Sequence, residues 1–588
     1  MYWADELAAS VSGRQVVNDS KSPSGTVHVG SLRGVVLHDA IYRSLRQAGV
    51  EATFLYGVDD MDAMDSQALL TPDAVERYMG APLSRVPAPA GSSAASYARH
   101  FVGEIFFRIF EPLGIKPQFY WVSELYAAGR MDPYVRLALD RADRVRAIYL
   151  RVSHVDRNSS WLPIQVICEQ CGKIGTTYAT EWDGATVAYR CMPDLVSWAR
   201  GCGHEGRVSP LGGRAKLPWN LEWAAKWGLL GVTVEGCGKD LATAGGSRDR
   251  SDAISREVFE VEPPRNVAYE FLNIGGRKMS TSKGQGVAAH TIAEVLPPEQ
   301  LRFLFLRPRP SQVIDFDPEG ETIPRLFDEF DRIAAATAGR EVKGELPADY
   351  ERLFAYSLLG PSPDVMAAAN AFRPAFAHLA LLLQIPGVDI EERVTAEKGA
   401  PLSELERSVL AERVAAARAW LESYAPQRAR LVIRRDGVPD EARDLGDDQR
   451  AYLAALATAA ESDKPGSGDA WQGLIFRVAS ETELPSGRAF GALYAAFLGR
   501  ANGPRAGWLL ASLESTFVVE RLRAAALAAA QGRLPEAADA PVLPNSHHDD
   551  IRQGVRARGA PPQARTRRRG VLEARIERCG SVSVRTQP

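Results

Sequence analysis

Two stretches of this sequence carry residue types suited to holding polyphosphate. The first is Pro23-Ser24-Gly25-Thr26-Val27-His28-Val29-Gly30-Ser31, a run of mostly small residues around one imidazole. Small residues let a backbone approach a ligand closely. Where such a run opens a helix, unpaired N–H groups and the positive end of the helix dipole face an anion. His28 could then donate a hydrogen bond to a phosphate oxygen on which charge develops. The plain alternative is a strand-to-helix turn with a capping histidine. The second stretch, Lys278-Met279-Ser280-Thr281-Ser282-Lys283-Gly284, sets two lysines around hydroxyls and reads as a cation clamp, or else as a solvated basic loop. The pair is more specific than either alone, because the two occur in a fixed order, each after a predicted strand.

Four of the six cysteines cluster at Cys168, Cys171, Cys191 and Cys202. The first twenty residues include Asp5, Glu6 and Asp19 and lack an apolar segment, so no secretory signal is expected and the compartment is taken as the reducing cytoplasm. Clustered thiols then read as metal ligands before disulfides. Four thiolates make a closed structural zinc site, with His204 as a possible replacement for Cys202. Unpaired buried cysteines are the competing reading. Cys237 and Cys579 stand apart from the cluster.

These groups need a scaffold. Gln15-Val16-Val17 predicts a strand, Val35 to Leu45 a helix, and Ala52–Val58 a second strand, together the size of a parallel βαβ unit. Helices are expected over 97–113, 137–150 and 219–229, and strands over 232–235 and 268–274. Residues 160–210 look like an insertion of short strands and glycines. From about residue 290, amphipathic helical runs dominate (299–305, 326–336, 405–424, 448–460, 490–498) and predict an all-α region. With 588 residues, 45% hydrophobic and 24% charged, the chain reads as three or four globular domains. No apolar run is long enough to span a bilayer. A net charge of −3 neither announces nor excludes a nucleic-acid partner.

With these motifs in place, the sequence resembles a class I aminoacyl-tRNA synthetase. Ser24–Ser31 looks like the HIGH signature, with Ser31 in place of the final histidine. Lys278–Ser282 looks like KMSKS, with Thr281 at the second lysine and Lys283 two places further on. Within the class it looks most like the lysyl-tRNA synthetases. Trp3-Ala4-Asp5-Glu6, Ser22–Asp39, Tyr56–Asp65, Ser123–Tyr126, the cysteine cluster, Pro218–Trp227, Gly238–Arg248, Tyr269–Gly284 and Gly503–Arg523 carry the likeness. Leu241 stands where many members of the family have a histidine.

The resemblance implies an α/β fold: a Rossmann-type parallel-sheet catalytic domain with a zinc-binding insertion, followed by an all-α anticodon-binding region. The implied division is 1–105 and 218–290 for the two halves of the catalytic domain, with the insertion at 106–217. A helical stem-contact domain at 291–385, an anticodon-binding domain at 386–523 and a tail at 524–588 follow. It implies a lysine–tRNA ligase using ATP with Mg2+, a structural Zn2+, and tRNA(Lys) as partner, working as a monomer away from membranes. His28, Lys278 and Lys283 would be catalytic. ATP would meet Ser24, Gly25, His28, Gly30, Ser31, Lys278, Met279, Ser280, Thr281 and Ser282. A site for lysine should offer carboxylates and aromatic surface to an ammonium on an apolar stem. Gly25, Thr26, Asp59, Asp60, Trp219 and Tyr269 are the candidates. Trp223 adjoins them, although tryptophans are more often core and an Asp pair is often only a turn. Trp420, Tyr424 and Trp471 could stack on bases, with helix-core packing the stronger expectation for each.

Two other readings compete. One is a sister synthetase for arginine or glutamate. The other is a degenerate synthetase acting as an RNA-binding regulator, which the retained motif residues disfavour. Beyond Arg523, residues 551–578 hold nine arginines against Glu573 and Glu577, with Pro561-Pro562 and scattered glycines. This tail is expected to be disordered. It is either an arm that holds tRNA through its phosphates or a non-functional extension.

Overall fold

The computed structural model describes residues 1–528 apart from 24–28, 66–70, 107–109, 276, 279–291, 294, 386–387, 434, 436 and 504. The described residues form two compact units, one from 1–383 with 389–430 and the other from 384–388 with 431 onward.

The first unit is built on a parallel sheet. Strands β1 (Gln15–Lys21), β2 (Ala52–Val58) and β3 (Gln118–Trp121) lie side by side, with Gln15 opposite Ala52 and Leu55 opposite Gln118. On the far side of β1 the chain returns some 200 residues later. Val17 bridges Val234, Val234 bridges Arg265, and Gly238 bridges Tyr269, all in parallel. The sheet thus reunites the two halves of sequence that carry the two motifs. Val16, Val17, Val58 and Val234 are buried, as expected for parallel strands covered on both faces. Helix α1 (Trp3–Ala9) and helix α2 (Leu32–Gln47) supply part of that cover. Val35, Val36, Ala40, Ile41 and Leu45 of α2 are all buried, the stripe that the sequence pattern predicts.

The insertion is a separate antiparallel construction. β4 (Gln165–Val166) pairs with β8 (Ala215–Lys216) at its base, and β5 (Thr177–Trp182), β6 (Val187–Cys191) and β7 (Glu205–Val208) form its outer sheet. Beyond it come the helix Trp219–Leu230 and the strands β9 (Leu272–Ile274) and β10 (Arg277–Lys278). β10 runs antiparallel to β9.

Five expectations change. The strand foreseen over 232–235 is reduced to isolated bridges at Val234, and the one foreseen over 268–274 is Leu272–Ile274 alone. The helix foreseen over 137–150 is two helices, Asp132–Asp140 and Ala142–Ser153, because Arg141 takes a non-helical φ of −108° and ψ of 28°. The helix foreseen from Tyr97 is α-helical only over Tyr97–His100 and widens into a π-helical stretch over Phe101–Phe106. The region read as all-α contains a strand, β11 (Ile314–Phe316), which joins β9 in parallel. Otherwise its helices appear where the periodicity put them, including Pro298–Leu306, Thr322–Thr337 and the capping-box helix Glu404–Ser423.

The second unit is helical. Asp447–Asp463, Gly468–Glu481, Ser486–Leu498, Ala506–Ala511 and Ser515–Leu527 enclose a core that includes Tyr452, Leu456, Trp471, Leu493, Phe497 and Val518. Trp471 is buried there, and Trp420 is buried in the first unit, so both are core residues rather than free stacking surfaces.

Candidate active site and metal centre

The end of β1 runs through Asn18, Asp19, Ser20 and Lys21 toward the first motif. Of that motif, Gly30 and Ser31 are described, in a short 3-10 turn (Val29–Ser31) that leads into α2. Ser24, Gly25, Thr26 and His28 lie outside the described residues, as do Met279, Ser280, Thr281, Ser282 and Lys283. Lys278 is described only through its backbone in β10.

Around this point the sheet gathers buried charge. Asp59 and Asp60 end β2 with side chains turned inward. Lys226, in the helix Trp219–Leu230, donates to Asp59 Oδ1 at 2.6 Å and to Ser20 Oγ at 3.3 Å. Both Lys226 and Asp59 are at most 2% exposed. Asp60 accepts from the Ser123 backbone N–H at 2.8 Å and from the Ser123 hydroxyl at 2.5 Å. Burial nevertheless holds its pKa up at about 6. Both carboxylates therefore have partners within the protein. Lys226 is the partner on Asp59 and Ser123 the partner on Asp60.

Asp62, two residues on, accepts from Lys216 and from the Ser22 hydroxyl. Lys216 also lies 3.2 Å from Glu222, whose second oxygen accepts from the Tyr126 hydroxyl at 2.9 Å. Burial pushes Glu222 up to about 7, against the pull of Lys216. Glu222 and Lys226 lie four apart in one helix, so a single helical face carries both. Asp62, Lys216, Glu222 and Lys226 escaped sequence reading. The spacing Trp219, Glu222, Trp223, Lys226, a helical stripe mixing aromatic and charged residues, was the signal that could have found two of them.

Trp219 is half-buried and stacks at a tilt on Trp223, with ring centroids 4.8 Å apart. Trp223 and Trp227 are core residues. Tyr269 stands across the sheet. A Cβ on Gly34 would meet its hydroxyl at 2.5 Å and Asp19 Oδ2 at 3.3 Å, so a side chain there would force Tyr269 to move. His38, one turn along α2, lies 2.7 Å from the Gly34 carbonyl through Nδ1 and accepts the Gly236 N–H at 2.8 Å through Nε2. Both its nitrogens are thus used within the fold. Leu241 is half-buried and packs against the neighbouring core.

The cysteines converge. The sulfurs of Cys168, Cys171, Cys191 and Cys202 all lie within 4.8 Å of one another, without His204. Two sulfur pairs are 3.7 Å and 3.6 Å apart. Zinc–thiolate bonds of about 2.3 Å in a tetrahedron place sulfurs about 3.8 Å apart, so the residues fit a zinc ion. A backbone N–H, that of Cys202, points at the Cys191 sulfur at 3.4 Å. The knuckle is tied to the chain that follows β2: the N–H groups of Ile174 and Gly175 both donate to the Gly80 carbonyl, at 2.7 Å and 3.0 Å.

The parallel sheet thus joins two distant halves of the sequence. The family described as tRNA synthetases class I (K) matches residues 1–358, and the chain belongs to it. Its relatives include the lysine–tRNA ligase of Methanosarcina barkeri, 34% identical over 89% of this chain and 98% of that protein. The lysine–tRNA ligase of Archaeoglobus fulgidus is also 34% identical, over 89% of this chain and 100% of that protein. Among solved structures, the glutamate–tRNA synthetase of Elizabethkingia anophelis aligns at a TM-score of 0.42 and 12% identity, over 87% of this chain and 99% of that one. No helix among the described residues is long and apolar enough to cross a membrane.

Proposed function

We propose that the chain is a lysine–tRNA ligase that charges tRNA(Lys) with lysine in two steps. The likeness to lysine–tRNA ligases along 89% of the chain, nearly the full length of those relatives, carries this reading. In the first step a lysine carboxylate oxygen attacks the α-phosphorus of ATP, the bond to the bridging oxygen breaks, and pyrophosphate leaves. In the second a hydroxyl of the terminal tRNA ribose attacks the lysyl carbonyl and AMP leaves. No protein nucleophile is required, so catalysis is positioning and charge stabilisation.

In this reading His28 and Lys278, assisted by Lys283, act on charge developing on the pyrophosphate. ATP, accompanied by Mg2+ as in the family, lies against Ser24, Gly25, Gly30, Ser31 and Met279 to Ser282. Gly25, Thr26, Asp59, Asp60, Trp219 and Tyr269 receive lysine, with Asp59 steadied by Lys226 and Asp60 by Ser123. The four cysteines hold one structural zinc. Residues 291–385 meet the tRNA stem and 386–523 its anticodon, and the enzyme works as a cytoplasmic monomer.

Pyrophosphate–ATP exchange with individual amino acids tests the proposal. Exchange is expected with lysine and not with arginine or glutamate. A maximum with another amino acid overturns the assignment to lysine, and no exchange with any amino acid, with or without tRNA, overturns the assignment as a ligase.

A further inference from the structure

Arg33 sits in the first turn of α2, directly after the first motif, and is 1% exposed. None of the ion pairs among the described residues involves it. Its guanidinium is instead surrounded by backbone carbonyls. Nη1 donates to Glu270 O at 2.5 Å and, at the limit of bonding distance, to Phe271 O at 3.4 Å. Nη2 donates to Arg309 O at 3.3 Å, Pro310 O at 3.2 Å and Gln312 O at 2.9 Å. No carboxylate among the described residues lies within ion-pairing distance, although that of Glu270 is near enough to favour the charge, and proteins keep so buried a cation only where hydrogen bonding offsets the lost hydration. Burial draws its pKa down to about 10, which leaves it charged at neutral pH.

The positions of those carbonyls matter. Glu270 and Phe271 lead into β9, and Arg309 to Gln312 lead into β11, which pairs with β9 from Leu272 to Ile314 onward. β10, which carries Lys278, pairs with the other edge of β9. One side chain thus joins the helix that follows the first motif to both segments that feed the strands next to the second. Gly34 lies in the same joint, where a Cβ would come within 2.5 Å of the Tyr269 hydroxyl and force that side chain to move.

We infer that Arg33 is a positioning residue for adenylate formation, holding the first motif in register with the strand that presents the second. The inference rests on the reading above that the two motifs act together on ATP. Adenylation there needs groups from both motifs to meet the same developing charge. A displacement of about 1 Å in such an arrangement can cost roughly a hundredfold in rate. A lysine at this position keeps the charge but cannot reach five carbonyls in two directions, because its ammonium has no planar fork.

The test is lysine-dependent pyrophosphate exchange by the full chain carrying Arg33→Ala or Arg33→Lys, with rates set against the fraction folded by circular dichroism. Both variants should lose kcat, by roughly a hundredfold for Arg33→Ala, with the KM values for lysine and ATP little changed. Millimolar guanidinium ion should restore part of the Arg33→Ala rate by refilling the carbonyl cage, and methylammonium should not. If Arg33→Ala does not fold, Arg33→Lys alone decides the question. Parental kcat per folded molecule in the folded variant, or a fall explained wholly by unfolding, overturns the inference. If the parent itself exchanges pyrophosphate with no amino acid, it is the ligase reading that fails instead.

Discussion

Glu222 lies where three carboxylates, with Asp59 and Asp62, share two ammonium groups, those of Lys216 and Lys226. Removing one partner of a buried ion pair leaves an uncompensated charge, which typically costs about 3–5 kcal/mol. The group least well matched is Glu222, because Lys216 is shared with Asp62. Its pKa of about 7 lies above its ordinary value of 4.5, raised by burial. The folded protein therefore holds that proton more tightly than the unfolded chain does. The resulting stability is fully present below the unfolded pKa and is lost as pH rises through about 7. Glu222→Gln cannot ionise, so its melting temperature should gain on the parent's between about pH 5 and about pH 8. Thermal unfolding of both proteins at the two pH values checks this. A difference in melting temperature that does not move with pH would mean that Glu222 titrates as it does in the unfolded chain.

Among the elements, the insertion makes the sharpest chemical claim. Its four sulfurs are close enough for one tetrahedral ion. One zinc per chain should co-purify when no chelator is used, and metal analysis that finds none would refute the site. Cys168→Ser should lose the metal and lower the melting temperature more than Cys237→Ser, since Cys237 lies outside the cage. This element was legible in outline, because the Cys168-x2-Cys171 spacing and the short strands are local signals. So were β1, α2 and β2, whose apolar periods match their burial. What the sequence could not display was pairing at a distance. Lys216 and Asp62 are 154 positions apart and meet only because the chain returns, at β8, to the segment that follows β2. Asp59 and Asp60 were visible as acidic residues after a strand, but their partners Lys226 and Ser123 were not. β11 is three residues long, too short to show any period against the helices around it.

Across the whole molecule, the likeness to relatives covers most of the chain, while the arginine-rich stretch 551–578 follows the last described helix, Ser515–Leu527. If this stretch holds tRNA through its phosphates, a chain ended after Asn545 should bind tRNA more weakly and with a shallower dependence on salt. Titrations of both proteins over a range of ionic strength decide the matter. Identical affinity and slope would leave the tail without a part in tRNA binding. Lys216 carries a different long-range consequence. It belongs to β8, at the foot of the cysteine-bearing insertion, yet its ammonium lies against Asp62 and Glu222 in the catalytic half. The strand that closes the insertion thus also supplies the counter-charge for carboxylates buried beside the parallel sheet, so a change at Lys216 reaches both structures at once.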